Sequence, residues 1–270
     1  MERRTASRSL LVSLVLLLST AERVSAQVDL TIFVGAAYPL YDERLTLRPS
    51  VPSLPGADVT VSGSPAITAT GGLVVGGALA FEAGVFAIEG RVDSTAVGFD
   101  LTGARYDVRA SSGPLEGLTG SVTIGDGHFD ANRFQLLSLN ARLRTPGPIG
   151  LVVSGGLSYL PNVTITGAIP LSAEVAGVPI VSGLVPRLRL EVAPGESEHR
   201  FGVNGGAGLR IGGGLIAFMG EVRVFYFREY ELRFNVAGAP SVVEDLIEGL
   251  DPVRFEPVIV NAQAGLVFRF

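Results

Sequence analysis

Charged side chains recur at every second position in several segments, a spacing that places side chains on one face of a β-strand. The eight residues concerned are Glu89, Arg91, Asp93, Arg142, Arg144, Arg210, Glu221 and Arg223. Inside a narrow enclosed space they would form either an ion path with a gate or a structural plug of paired charges. We favour the plug, because an unpaired charge away from water is costly.

A second group of polar residues lies in the segment Asp126-Gly-His128-Phe-Asp130-Ala-Asn132. Oxygen and nitrogen donors on alternate residues could converge on one cation. The segment lacks the terminal bidentate Glu of an EF-hand loop, so the sequence favours a solvated external loop. We therefore predict neither a metal nor a cofactor.

The sequence contains two histidines, His128 and His199. A histidine within hydrogen-bond reach of an outward Ser or Asp would favour a surface lipid-modifying enzyme or protease. No nucleophile-elbow motif is present, and His199 follows the polar segment 194–198, which is typical of a turn. We therefore predict that the protein is not an enzyme.

Composition excludes several classes of protein. Only 17% of the residues are charged, 35 are Gly, and none is Cys or Trp. These values argue against a disordered chain, a disulfide-stapled scaffold and a Cys-ligated metal centre. The acidic pI of about 5.2 argues against a nucleic-acid partner, because binding to phosphates requires a basic surface.

Residues 1–26 are typical of a cleaved secretory signal peptide. Arg3, Arg4 and Arg8 precede the apolar run 10–18, and small residues end the segment before Gln27. The apolar run is too short for a transmembrane helix. The mature domain is therefore expected to comprise residues 27–270.

The rest of the chain alternates between apolar and polar residues with a period of two, which indicates strands with one apolar face. Eight segments fit, namely 28–38, 71–81, 85–95, 133–144, 149–159, 200–211, 214–228 and 257–270. The polar faces carry Gly, Ser and charges, which suit the lumen of a narrow barrel better than the core of a sandwich. Short turns at 81–84, 145–148 and 212–214 alternate with four long connections, as in an outer-membrane barrel.

Aromatic residues would form two rings on the outer face, at the heights of the two membrane interfaces. By parity the rings comprise Tyr38, Tyr159, Phe201 and Tyr226, and Phe81, Phe86, Phe268 and Phe270. We predict an all-β fold, an eight-stranded antiparallel up-and-down transmembrane β-barrel with long external loops. Ten strands would be needed if the extended segments 121–125 and 185–192 joined the barrel.

The segments 150–159 and 201–226, together with the closing Leu266-Val-Phe268-Arg-Phe270, resemble the small outer-membrane β-barrel family, the OmpA/OmpX-like barrels of Gram-negative bacteria. The resemblance implies that Leu266, Phe268 and Phe270 act as the signal read by the barrel-assembly machinery. It also implies a location in the outer membrane, among its lipids. We expect a monomer.

The external connections are unusually apolar. Segment 163–185 is rich in Val, Ile and Leu, residues 241–250 fit a short amphipathic helix, and Phe134, Phe225 and Phe227 would face inward near the outer mouth. They could form a pocket for a small hydrophobic ligand, or the loops could simply pack on each other, which we favour. We therefore predict a structural or surface-interaction protein with a plugged lumen, and a conduit or receptor for small hydrophobic ligands as the alternative.

Overall fold

The computed structural model describes residues 27–44, 57–63, 65–110, 116–161, 165–192, 200–236 and 253–270. The predicted signal peptide, the predicted helix over 241–250 and His199 lie outside these residues. No helix in the described residues is long and apolar enough to cross a membrane.

Eight long strands form a closed antiparallel ring. They are β1 (Gln27–Pro39), β5 (Gly72–Ala83), β6 (Phe86–Thr102), β9 (Gly127–Arg144), β10 (Ile149–Leu160), β13 (Arg200–Ile211), β14 (Ile216–Phe227) and β17 (Val258–Arg269). Each strand pairs with the next in this order, and β17 pairs with β1 to close the ring. These are the eight strands that the alternation predicts, so the predicted eight-stranded barrel is confirmed.

Three tight turns lie at one end of the barrel, which we call the turn end. They join β5 to β6, β9 to β10 and β13 to β14, and each contains glycine with a positive φ, such as Gly84 at 68° and Gly212 at 129°. Residues other than glycine rarely adopt a positive φ, so the glycines allow the chain to reverse its direction within a few positions. The first residues of β1 and the last residues of β17 also lie at the turn end, where Asp29 pairs with Arg269.

Within the described residues, most of the long connections at the other end form strands, where the sequence analysis expected loops. The described residues there form β2 (Asp42–Arg44), β3 (Ala57–Ser62), β4 (Ala66–Thr70), β7 (Ala104–Ala110), β8 (Thr119–Ile124), β11 (Ile165–Val175), β12 (Val178–Val192), β15 (Tyr230–Val236) and β16 (Val253–Phe255). With the far ends of β6 and β9 they make a second β-structure, which we call the extension. Of the segments 121–125 and 185–192, residues 121–124 lie in β8 and residues 185–192 in β12, both outside the ring, so the ten-strand alternative is wrong.

The extension continues the barrel wall upward. The strands pair in the order β2, β4, β6, β9, β11, β12, β15 and β16. A branch leaves this row at β11, which also pairs with β8, and β8 is followed by β7 and then β3. The hydroxyl of Tyr41, just before β2, donates a hydrogen bond of 2.7 Å to the carbonyl of Arg254 in β16. This bond bridges the two ends of the row of strands, directly above the seam between β1 and β17.

The ring presents its apolar side chains to the surroundings. Outward residues such as Ile88 and Leu157 are more than 60% exposed. Of the eight aromatic residues predicted to face outward, Tyr159 and Phe268 are partly exposed and the other six are exposed. The inward side chains are buried and mostly polar, so the barrel has the opposite polarity to a water-soluble globule.

Candidate functional site

The inward face of β14 shows how the barrel interior is layered from the turn end toward the extension. Ala217 and Met219 come first, the charged Glu221 and Arg223 follow, and Phe225 and Phe227 come last. The other strands add residues of the same kinds at these heights. The interior therefore holds a central polar network under an aromatic layer.

Arg223 is the centre of the polar network and is fully buried. Its Nη2 atom donates hydrogen bonds to Glu89 at 3.0 Å and to Glu221 at 2.8 Å, while its Nη1 atom donates one to Asn204 at 2.6 Å. Nη2 also donates to Ser154 at 2.8 Å. Residues from β6, β10, β13 and β14 are thus joined across the lumen by one guanidinium.

A second guanidinium extends the network to the opposite wall. Arg91 donates to both carboxylate oxygens of Asp93, at 2.8 and 3.0 Å, and to Glu221 at 2.8 Å. Its guanidinium carbon also lies 3.9 Å from the ring centroid of Phe33, a cation–π contact. Arg91 therefore connects the chain of charges to β1.

Arg142 completes the balance of charges in the centre. It pairs with Glu89 at 3.3 Å and donates to the Sδ atom of Met219 at 3.6 Å. Three arginines here face three carboxylates, and Asn140 and Gln263 donate further hydrogen bonds to Glu89 and Glu221. Each carboxylate is thus paired with at least one guanidinium, which a buried ionic cluster requires to be tolerated.

A separate ionic cluster closes the turn end. Asp29 accepts hydrogen bonds from Arg210 and from Arg269, and Glu82 pairs with Arg269 at 2.8 Å and with Arg144 at 3.3 Å. Asp29 and Arg269 belong to the first and the last strand of the ring. The cluster therefore ties the seam of the barrel to β5, β9 and β13.

The aromatic layer lies on the extension side of the polar network. Phe225 and Phe227 are 0% exposed, and Phe134 is also buried. Phe99 and Phe129 are buried beyond them, inside the extension, and Leu136 is buried in the ring, where it pairs with Asp93. Tyr106 of β7 shares this apolar interior, where burial raises the pKa of its hydroxyl to about 12. The three phenylalanines are thus part of a packed core.

A groove of about 1300 Å³ lies in the barrel wall over β1, β13, β14 and β17. It is lined by outward apolar residues such as Ile32, Phe218 and Leu266, around small residues such as Ala207 and Ala264. Phe134, Phe225 and Phe227 do not line it, so it does not connect the aromatic layer to the outer side of the wall.

The outer face of the extension is polar, in contrast to the barrel wall below it. A pocket of about 460 Å³ on this face is lined by Asp58, Thr60, Arg105, Asp107, Arg109, Thr119, Gly120, Ser121, Glu174, Ala176 and Gly177. Closer to the barrel, His128 and Asp130 of β9 stand beside Asp100 of β6. The segment 126–132, predicted as a solvated loop, thus continues into β9 from residue 127, which corrects that prediction.

His128 lies between two carboxylates. Its Nδ1 atom is 2.6 Å from Oδ1 of Asp100, and its Nε2 atom is 3.5 Å from Oδ1 of Asp130. The hydrogen bond to Asp100, supported by both negative charges, raises the pKa of the imidazole above its usual value. The side chain is 55% exposed, so the site is open to solvent.

All eight inward charges predicted from the spacing point into the lumen, and Arg144 alone among them keeps some exposure. The sequence reasoning did not include Asp29, Glu82 or Arg269 among the charged site residues. Asp29 and Arg269 have the same parity as the predicted polar faces, which is the signal that could have identified them. Glu82 falls just beyond the predicted end of its strand at residue 81.

No family model matches the chain, and no curated protein is similar to it in sequence. Among solved structures, the outer membrane protein OprG from Pseudomonas aeruginosa is similar, with 14% identity, a TM-score of 0.41, and coverage of 90% of this chain and 95% of that chain. The translocator domain of the autotransporter NalP from Neisseria meningitidis matches with 14% identity and a TM-score of 0.22, covering 99% and 98%. The fold assignment therefore depends on the strand pairing of this chain.

Proposed function

We propose that this chain is an outer-membrane β-barrel protein with a plugged lumen and a structural or surface-interaction role. The observation that carries the proposal is the inverted polarity of the ring. Its outward residues are exposed and apolar, whereas its arginines and carboxylates are buried inside. A lipid environment stabilises that distribution of side chains, and water would oppose it.

The dimensions of the ring support a membrane location. Five of its strands have 12 residues each, which is enough for a tilted strand to cross the hydrocarbon core. Closure between β1 and β17 satisfies the backbone groups of both terminal strands. A lipid-exposed sheet needs such closure, because hydrocarbon offers no hydrogen bonds to an open edge.

The contents of the lumen support a plug. Eight strands enclose a space that side chains can fill, and here charged groups and aromatic rings fill it in successive layers. An ion moving through would have to displace guanidinium–carboxylate pairs and then cross the aromatic layer. We therefore expect no steady ion conductance through the lumen. Because the lumen is filled, we also expect the extension to be the part of the protein that contacts other molecules.

The proposed location in the outer membrane and the proposed route of export are inferred from the sequence. Residues 1–26 would be removed as a signal peptide, and the barrel-assembly machinery would read Leu266, Phe268 and Phe270. Phe270 is 75% exposed beyond the end of β17, which makes it accessible to a partner. Outer-membrane lipid and this machinery are the proposed partners, with no cofactor and a monomeric state.

Two measurements test this function. The purified protein should migrate differently on a detergent gel before and after boiling, because a closed barrel resists detergent until it is heated. In planar bilayers it should give no stable single-channel current, while a porin inserted under the same conditions shows that the assay detects pores. Identical migration would contradict a stable barrel, and a steady current would contradict the plug.

The Asp100–His128 pair is the observation that favours an enzyme as the second candidate, since a carboxylate that orients an imidazole occurs in many catalytic sites. The pair lies on an open sheet surface, and we therefore propose a non-enzymatic role. Phospholipid and peptide hydrolysis should be the same for the wild type and His128→Gln. Hydrolysis that the substitution abolishes would overturn the non-enzymatic proposal.

A further inference from the structure

A small group of polar residues on the outer face of the extension has the arrangement of a metal site. Two neighbouring rows of the sheet contribute to it. In one row Thr70, Gly98 and Asp130 stand side by side on β4, β6 and β9, and in the next row Thr68, Asp100 and His128 do so. The imidazole of His128 leans from its own row toward Gly98, so that Nε2 lies 3.5 Å from Asp130 and borders the same space above Gly98 as the hydroxyl of Thr70.

The separation between the two strongest donors fits one metal ion. The Nε2 atom of His128 and the Oδ1 atom of Asp130 are 3.5 Å apart. Zinc binds imidazole nitrogen and carboxylate oxygen at about 2.0 to 2.2 Å, so two such ligands in tetrahedral geometry stand roughly 3.4 Å apart. The distance is longer than a good hydrogen bond but suits two ligands of a shared ion.

Asp100 gives His128 the orientation that a metal ligand needs. With the carboxylate 2.6 Å from Nδ1, the proton of the neutral ring stays on Nδ1 and the lone pair of Nε2 points toward Asp130. A carboxylate that holds the far nitrogen of a histidine in this way is the usual outer partner of a metal-bound imidazole. The arrangement therefore includes both an inner ligand pair and its support.

Gly98 keeps the space beside these donors clear. A Cβ atom at this position would lie 2.5 Å from Oγ1 of Thr70 and 3.2 Å from Nε2 of His128. Because no side chain occupies that space, the hydroxyl of Thr70 faces the same gap as the imidazole. No three His, Cys, Asp or Glu side chains in the described ranges could hold a metal by themselves, so the hydroxyl and water would have to complete the shell.

We propose that His128, Asp130 and Thr70 form a surface site for a divalent ion of borderline softness, such as zinc or copper, with Asp100 as the positioning residue. One nitrogen and two oxygen donors match the preferences of these ions better than those of calcium or magnesium. A bound ion would join β4 to β9 across β6 and so stabilise the extension. The site is independent of the barrel interior.

The first test is equilibrium dialysis of untagged, metal-free protein in detergent against Zn²⁺. The wild type should bind one ion in a saturable manner, and His128→Gln should abolish this binding. Asp100→Asn should weaken it by about 10- to 100-fold, because loss of an outer partner has that effect. Gly98→Ala should weaken it as well, because the new methyl group enters the gap.

The second test is electron paramagnetic resonance of bound Cu²⁺, which detects a nitrogen ligand. The sequence has two histidines and no cysteine, so few strong ligands compete. The signal of one imidazole nitrogen should be present in the wild type and in the control His199→Gln, and absent in His128→Gln. Asp107→Asn, which removes another carboxylate of the same outer face, is the control for simple charge attraction.

The shift in gel migration on boiling shows whether each variant still folds as a barrel, so that loss of binding can be read as loss of the site. Absence of saturable Zn²⁺ binding below about 1 mM would overturn the proposal. Binding that persists in folded His128→Gln, or that disappears in His199→Gln, would also overturn it. Neither result would change the interpretation of the gel and conductance measurements.

Discussion

Arg223, like Glu221, contacts four other side chains of the buried network. Its guanidinium contacts Glu89, Glu221, Asn204 and Ser154. Removing one member of a buried ionic cluster leaves its partners charged and without compensation, which costs more than the pair gains. The effect of a substitution at this position should therefore exceed that at any exposed arginine.

We predict that Arg223→Met lowers the free energy of unfolding by about 3 to 5 kcal/mol, because Glu89 and Glu221 lose their shared cation. Urea-induced unfolding in lipid vesicles measures this change. Arg254→Gln is the matched control, since Arg254 and Glu229 are exposed and 3.7 Å apart, and exposed pairs contribute about 0 to 1 kcal/mol. Equal effects of the two substitutions would contradict the network.

At His128 the prediction concerns titration. The hydrogen bond to Asp100 raises the pKa of His128, so Asp100→Asn should lower it. Because the pKa is higher in the folded state, protonation of His128 stabilises the fold, and this stabilisation is fully present below the pKa of the unfolded chain. It is lost as the pH rises through the folded-state pKa. NMR titration of the imidazole in the presence of a chelator measures both values. An unchanged pKa would contradict the contact.

Among the strands, β5 illustrates how closely an element is fitted to its neighbours. A Cβ atom on Gly76 would lie 2.2 Å from the carbonyl oxygen of Val92 and 2.5 Å from the ring of Phe33. We predict that Gly76→Ala destabilises the barrel by about 1 to 3 kcal/mol, because the ring or the strand must shift. Gly90→Ala on β6 is the control, since nothing lies within 4 Å of its added methyl group. Unfolding in urea distinguishes them.

The strands of the ring could be predicted from the sequence because each has one mostly apolar face and one mostly polar face. In β14 the alternation from Ile216 to Phe227 is uninterrupted. The extension could not be predicted in the same way. The pairing of β6 with β9 shifts in register between Thr95 and Val97, and the buried residues of β9 change there from even positions such as Phe134 to odd positions such as Phe129, while β6 keeps its parity. The contacts of His128 depend on that pairing between distant segments, so its spacing in the sequence could not reveal Asp100 as a partner.

For the molecule as a whole, the prediction concerns which wall meets hydrocarbon. Val203 is exposed on the outer face of β13, whereas Thr60 is exposed on the polar face of the extension. Val203→Arg should cost about 2 to 4 kcal/mol of stability in a lipid bilayer, as arginine does near the midplane, and Thr60→Arg should be nearly neutral. Folding in vesicles measures both. Equal tolerance of the two substitutions would contradict the proposed membrane-facing surface.

In the proposed membrane location, the change in polarity along β6 and β9 also fixes the depth to which the protein is immersed. On the outer face, Val92 and Leu137 lie on the apolar side of this change, and Asp100, His128 and Asp130 lie on the polar side. If the barrel moved deeper into the bilayer by two residues of these strands, its ionised groups would approach the hydrocarbon. If it moved outward by the same amount, aromatic rings would be exposed to water. In a bilayer of unsuitable thickness, hydrophobic mismatch should therefore be relieved by lipid that thins or thickens around the barrel.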